Sequence, residues 1–313
     1  MSNSVSPTIQ GRMLCASVLA YSVPDNGTIN PPNNNIPQTS PYYNGAGYTS
    51  PPTMIASDYD ISNAACTVGL TQDGIVLAFR GTVYNSITDW INDLLLKPVS
   101  VNGIPGKVHY GFNKAVSVLL LPIVATLTQL KKANPTAKLY ITGHSKGAGM
   151  APIAAMYLMA NSIKAEAMYL YAPPLPATND FVTVYNRIFP NTFLYENHLD
   201  IVPLMPPSPT TAGGLDYYFL ANGSPEAEIA AGIITGLAFF GYSAVGTTAN
   251  TFYIQAPVNG QYNIVTLDFS VYLEQLKDIG TALTAGDISE IAAAHNSRCG
   301  ADYMNALGGG VCG

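Results

Sequence analysis

Ser145 sits in Gly143-His144-Ser145-Lys146-Gly147, the setting of a nucleophilic serine. A serine hydroxyl is a poor nucleophile at neutral pH. It needs an adjacent base, and the base needs a carboxylate to fix its tautomer and stabilise its charged form. Histidine is the natural base, and the chain has 4. His295, in Ala294-His295-Asn296-Ser297, completes the order Ser, Asp, His of an α/β-hydrolase. His144 shares the serine's turn and projects elsewhere, as a packing or hydrogen-bonding group. His109 and His198 stay open as bases. The leading acid is Asp200, just beyond a predicted strand in a loop that ends at Pro203; Glu196, Asp180 and Asp216 are its rivals. Acyl transfer also needs donors aimed at the tetrahedral oxygen. The backbone N–H of Lys146 and a second donor at Thr82 are suitably placed.

These residues need a sheet to hold them. Leu139-Tyr140-Ile141 is a β-prone apolar run, and from Met150 the apolar spacing turns helical through Ile153, Ala154, Tyr157 and Leu158. Strand, turn and helix is where G-x-S-x-G presents a serine, and its glycines leave room that a β-carbon would fill. With 28 glycines in the chain the motif alone is common by chance, so the surrounding pattern carries the weight. Residues 65–70, 75–79, 167–171 and 192–196 read as strands. Residues 11–22, 113–132 and 180–189 read as helices, and 251–255 and 262–267 as a hairpin before two closing helical stretches. Strands alternating with helices imply a mostly parallel central sheet with helices on both faces, carrying its site at the carboxyl ends of the strands. Residues 23–57 read as an aperiodic surface loop, in which Tyr42, Tyr43 and Tyr48 offer an aromatic binding surface. No repeat or linker interrupts the chain, so 1–313 reads as a single domain.

Composition narrows the function classes. Of 313 residues only 10% are charged while 48% are apolar, and the net charge is -6. That describes a core-rich chain without the basic patches of a nucleic-acid partner. The longest apolar stretch, 229–245, contains glycines and is shorter than the ~20 residues of a membrane span. The 4 cysteines, Cys15, Cys66, Cys299 and Cys312, fit no zinc spacing and allow three pairings. Neither a metal nor an organic cofactor is expected. The first ten residues lack a secretory leader's pattern, which leaves a cytosolic protein or a removed leader; few lysines and much Asn, Thr, Gly and Tyr favour an extracellular life. Oligomeric state is open.

With these pieces assembled, the sequence resembles the class 3 (fungal-type) triacylglycerol lipases and their feruloyl esterase relatives. The matching blocks are AFRGT at 78–82, the W-x-x-D-L block at 90–94, VHYGF at 108–112, YITGHSKGAG at 140–149, LDIVPLMPP at 199–207 and a late histidine. The resemblance implies an α/β-hydrolase fold with a helical lid, a Ser145, Asp200 and His295 triad, and an oxyanion hole at Thr82 and Lys146. The lid would be 84–96, with Ile87, Trp90, Ile91 and Leu94 on its apolar face, able to cover a groove in water and roll onto lipid. The implied activity is a serine carboxylester hydrolase, a lipase cleaving acylglycerols at a lipid–water interface through an acyl-enzyme. An esterase for soluble or feruloyl esters is the alternative, and a non-catalytic carbohydrate- or surface-binding module is the alternative of another class. Two departures stand out. Lys146 follows the serine where the family has Leu or a small apolar residue, placing a cation at the mouth. The segment between Asp200 and His295 is long, with a possible cap insertion over 208–250 and a buried helix expected at 229–245.

Overall fold

The computed structural model describes residues 4–25, 27–59, 62–83, 96–222, 235–236 and 238–312. The sheet begins with three antiparallel neighbours, β1 (Thr53–Tyr59), β2 (Ser62–Leu70) and β3 (Ile75–Phe79). A separate hairpin follows, β4 (Pro98–Val101) and β5 (Ile104–His109). Then come β6 (Leu139–His144), β7 (Ala167–Tyr171), β8 (Ala177–Thr178), β9 (Thr192–Asn197), β10 (Tyr242–Ser243), β11 (Thr251–Ile254) and β12 (Ile264–Thr266). The main sheet has 8 strands in the order β1-β2-β3-β6-β7-β9-β11-β12, and a 4-stranded sheet runs β10-β8-β5-β4. From β3 to β11 the main-sheet neighbours are parallel.

Nine helices are described: α1 (Ile9–Leu19), α2 (Pro41–Gly45), α3 (Tyr110–Ala133), α4 (Lys146–Ala160), α5 (Asn179–Ile188), α6 (Pro209–Asn222), α7 (Phe269–Ala285), α8 (Ile288–Ala294) and α9 (Asp302–Leu307). Parallel strands linked by helices are covered on both faces, so they need apolar residues at every position. All five residues of β3 and all six of β6 are buried. Ile75, Leu77 and Phe79 face a core shared with α3 and α4, while Val76 and Ala78 face a second core with α1. An aromatic ladder crosses the parallel strands: Tyr171 stacks on Tyr195 at 5.2 Å between centroids, and Tyr195 on Phe252 at 5.2 Å. These are register partners, so the rings help fix β7, β9 and β11 in the alignment that the site requires.

Several expectations change. β1 and α2 lie within or overlap the segment read as a loop; β1 escapes pattern reading because Met54, Ile55 and Ala56 are buried consecutively rather than in alternation. The small sheet was unforeseen, although Asn102-Gly103 between β4 and β5 is a strong hairpin signal, and Gly103 adopts the positive φ of 78° that such a turn needs. Helix α3 starts earlier than its apolar spacing suggests, because the His109 side chain caps it by accepting from Phe112 N at 3.3 Å. This 24-residue helix is long and apolar enough to cross a membrane, yet Phe112, Val116, Leu119, Ile123 and Leu127 form a stripe buried in the domain core. Tyr48 is buried and stacks with Tyr43, and Tyr42 accepts from Cys299 N at 2.8 Å, so these three rings serve packing. Of 229–245, residues 229–234 and 237 lie outside the described residues; Phe239 is exposed and Tyr242 and Val245 are buried.

Glu196 on β9 is buried against Gln275 of α7, whose Nε2 lies 3.4 Å from its Oε2. Burial is the main cause that raises its pKa from 4.5 to about 7, and the neighbouring Asp200 adds to the rise. The unfolded chain therefore loses this proton at lower pH than the folded protein. The resulting penalty is absent below pH 4.5, grows as pH rises through the interval, and is complete above about 7, where it reaches roughly 3 kcal/mol. Glu196→Gln should leave the melting temperature near pH 4.5 nearly unchanged and raise it at pH 8, as followed by thermal unfolding across that range. Equal shifts at both ends would contradict a buried titrating carboxyl.

Candidate active site

At the end of β6 the chain reverses into α4, and Ser145 occupies the corner with φ 59° and ψ -132°. Few non-glycine residues adopt such a conformation, which costs on the order of 1–3 kcal/mol and persists only where the surroundings enforce it. They do so here: Ser145 N donates to Tyr171 O at 3.0 Å, and Ser145 O accepts from Ala148 N at 2.8 Å and Gly149 N at 3.1 Å. A β-carbon at Gly143 would strike the backbone of Gly147, and one at Gly147 would strike Phe79 O on β3. The turn is therefore pressed between strands. Ser145 is fully buried, and its Oγ has no hydrogen-bond partner among the described residues.

Asp200 is also fully buried, in the loop after β9. Its Oδ1 accepts from Val202 N at 3.0 Å, and its Oδ2 accepts from the Tyr303 hydroxyl at 2.9 Å. His295, at the C-terminal end of α8, places Nδ1 3.0 Å from both carboxylate oxygens. An Nδ1–H donated to a carboxylate leaves Nε2 as the basic nitrogen. Asn197 reinforces the meeting by donating from Nδ2 to Ala294 O at 2.8 Å and to Asp302 Oδ2 at 3.1 Å. Tyr303 comes from α9, inside the loop closed by the Cys299–Cys312 disulfide; Cys15 and Cys66 are buried thiols. Burial, with the Asp200 charge second, pushes the Tyr303 phenol well above its ordinary pKa, so it remains a donor. The sequence offered no signal for Tyr303 or Tyr21, since neither lies in a motif.

His144 backs this arrangement. Burial is the largest cause lowering its pKa, which keeps it neutral, while burial raises the Tyr21 phenol. Tyr21 therefore donates to His144 Nδ1 at 2.9 Å, and His144 Nε2–H donates to the His295 carbonyl at 2.8 Å. The other two histidines lie elsewhere: His109 caps α3, and His198 contacts Asn197 Oδ1 at 2.9 Å. Among the rival acids, Glu196 faces Gln275, Asp180 opens α5, and Asp216 accepts from Thr235.

Thr82 follows β3, and its buried Oγ1 has no hydrogen-bond partner among the described residues. Lys146 is the first residue of α4, where backbone N–H groups point beyond the helix N-terminus. Its side chain corrects an expectation. Rather than standing at the mouth, it is 6% exposed, donates to Asn63 O at 3.2 Å and lies 5.2 Å from the centre of the Tyr59 ring. The first turn of the helix aims it back across β2. The residues expected on the lid, Ile87, Trp90, Ile91 and Leu94, lie outside the described residues. Together, a buried serine, a carboxylate-held imidazole and an orphaned hydroxyl at a neighbouring strand end can perform nucleophilic acyl transfer.

Tyr303 acts on this group through Asp200. Tyr303→Phe keeps the ring and removes one donor from the carboxylate, which should strengthen the carboxylate's hold on an imidazolium. The acid limb of the pH–rate profile should then move upward and kcat/KM fall by about tenfold. A lowered melting temperature with an unmoved limb would reduce Tyr303 to packing.

Residues 76–210 match the family described as Lipase (class 3). The lipase of Rhizomucor miehei is 32% identical over 177 residues, covering 54% of this chain and 47% of the relative. Secreted mono- and diacylglycerol lipase A of Penicillium cyclopium is 28% identical over 156 residues, 47% of this chain and 50% of the relative. The matches thus span about half the length of these curated relatives. In three dimensions the similarity is wider: the mono- and diacylglycerol lipase of Aspergillus oryzae superposes with a TM-score of 0.56 at 22% identity, covering 82% of this chain and 85% of the other. That likeness reflects the common α/β-hydrolase fold. Residues 76–210, which carry the serine turn and Asp200, are thus similar to the class 3 lipases.

Proposed function

We propose that the protein is a serine carboxylester hydrolase acting on acylglycerols. The observation that carries the reading is the clasp of His295 Nδ1 by the fully buried Asp200 at 3.0 Å, on the strand-end face where Ser145 is held at a positive φ. His295 takes the proton of Ser145 as the oxygen attacks the ester carbonyl. Thr82 Oγ1 and the backbone N–H groups of Thr82 and Lys146 receive the oxyanion. The imidazolium then returns the proton to the departing alcohol, and water, activated by the same imidazole, releases the acid. The curated relatives named above are lipases, two features favour life outside the cell, and the acylglycerol assignment rests on the first of these. The features are the secreted relatives and the Cys299–Cys312 disulfide. The whole chain, 1–313, would act as one catalytic domain, with 84–96 as lid over an apolar groove.

Initial rates on para-nitrophenyl esters from acetate to palmitate test this. Ser145→Ala should lose about 10⁴-fold or more in kcat, and Asp200→Asn about 10⁴-fold through the wrong tautomer. Thr82→Val should lose about 10²-fold in kcat with KM nearly constant, because its hydroxyl acts on the developing charge. Rates that persist to long chains support a lipase, and rates confined to short chains support an esterase. Equal rates in native protein and Ser145→Ala would end the hydrolase reading.

A further inference from the structure

The wall of the site that carries His295 opens into a cavity of about 370 Å³ lined by Tyr21, Thr82, His144, His295 and Arg298 among others. Its place in the reaction follows from the imidazole. The ring that takes the serine proton must hand it to the departing alkoxide, so the space against that ring receives the alcohol half of an ester. Arg298 supplies a permanent positive charge to this wall.

Two other arginines are consumed by the fold: Arg12 forks Asp73 at 2.6 and 2.8 Å, and Arg80 donates to the carbonyls of Val23 and Pro24 and to Asn63. Arg298 is exposed, and among the described residues no carboxylate lies within ion-pair distance of it. Its guanidinium lies 5.9 Å from the centre of the Tyr21 ring. That contact orients the group while leaving its N–H donors available. Tyr21 is itself anchored to His144, and His144 to the carbonyl of His295. A planar fork of donors is thus tied to the alcohol side of the chemistry, in a chain of net charge -6. Such a fork matches a phosphate oxyanion.

We propose that this cavity is a subsite for an anionic alcohol half and that the substrates it selects are phosphoglycerides, the phosphodiester lying on Arg298 while a carboxylic ester reaches Ser145. This rests on the hydrolase reading of Ser145, Asp200 and His295. A phosphoglyceride differs from an acylglycerol by exchange of one acyl arm for the phosphodiester, so the reacting ester is unchanged. The acyl C–O bond breaks as the bond to Ser145 Oγ forms, and the serine proton passes through His295 to the glycerol oxygen. The phosphodiester stays intact, and water then releases the fatty acid from the serine.

The test compares kcat/KM on diheptanoyl phosphatidylglycerol and on diheptanoylglycerol in the same neutral detergent micelles. The native protein should cleave both. Arg298→Gln should lower the ratio of phosphoglyceride to acylglycerol kcat/KM by about five- to tenfold, chiefly through KM. Arg298→Lys should recover part of the ratio, and Arg187→Gln, an exposed arginine on α5, should leave it in place. Cleavage of the acylglycerol alone, or a ratio that Arg298→Gln does not move, overturns the subsite and leaves the hydrolase reading standing. Cleavage of neither substrate overturns both.

Discussion

The buried carboxylate of Asp200 governs the architecture around it. A carboxylate with no solvent exposure costs several kcal/mol in lost hydration unless donors replace the water. Here the replacements come from Val202 N in the same loop, the Tyr303 hydroxyl on a later helix, and His295 Nδ1 at the end of α8. Segments distant in sequence must therefore converge before the charge is satisfied. The convergence also orients the imidazole. Asn197 ties the strand end to Ala294, and the Cys299–Cys312 disulfide closes the loop that delivers Tyr303. Stability and site geometry share one set of contacts.

The serine side depends on a different constraint. Ser145 is held in an unfavourable backbone conformation because β3 and β7 press on the turn from both sides, and only glycine fits at 143 and 147. The parallel sheet acts as a vice. Behind it, the neutral His144 links the turn to the His295 carbonyl, so the two halves of the site are joined by a hydrogen bond as well as by the sheet. His144 can do this because its Nδ1 is occupied by a donor from Tyr21. Burial keeps both groups uncharged, and that keeps each hydrogen in place.

Much of this arrangement was legible in the residues. The strand-turn-helix around Ser145 follows from apolar runs that change period, and Asp200 and His295 follow from chemical need and chain order. What escaped had physical reasons. β1 is buried at consecutive positions, so alternation did not reveal it. His109 caps α3 with a ring rather than with the usual short polar side chain, and the helix therefore starts before its apolar pattern. Lys146 follows the serine directly, which implies a cation at the mouth. The fold instead turns its long side chain inward toward Asn63 and the Tyr59 ring. Tyr303 and Tyr21 act through contacts across the fold that no local spacing encodes.

The central claim is that Ser145, Thr82 and Lys146 surround one reacting carbon. The most direct measurement is a crystal structure of the protein after reaction with a long-chain alkyl phosphonate ester, a tetrahedral mimic of the attacked carbonyl. The account predicts phosphorus bonded to Ser145 Oγ, the phosphoryl oxygen within hydrogen-bonding distance of Thr82 Oγ1 and the Lys146 N–H, and the remaining alkoxy group turned toward His295. Phosphonate on another residue, or a phosphoryl oxygen directed away from Thr82 and Lys146, would contradict it.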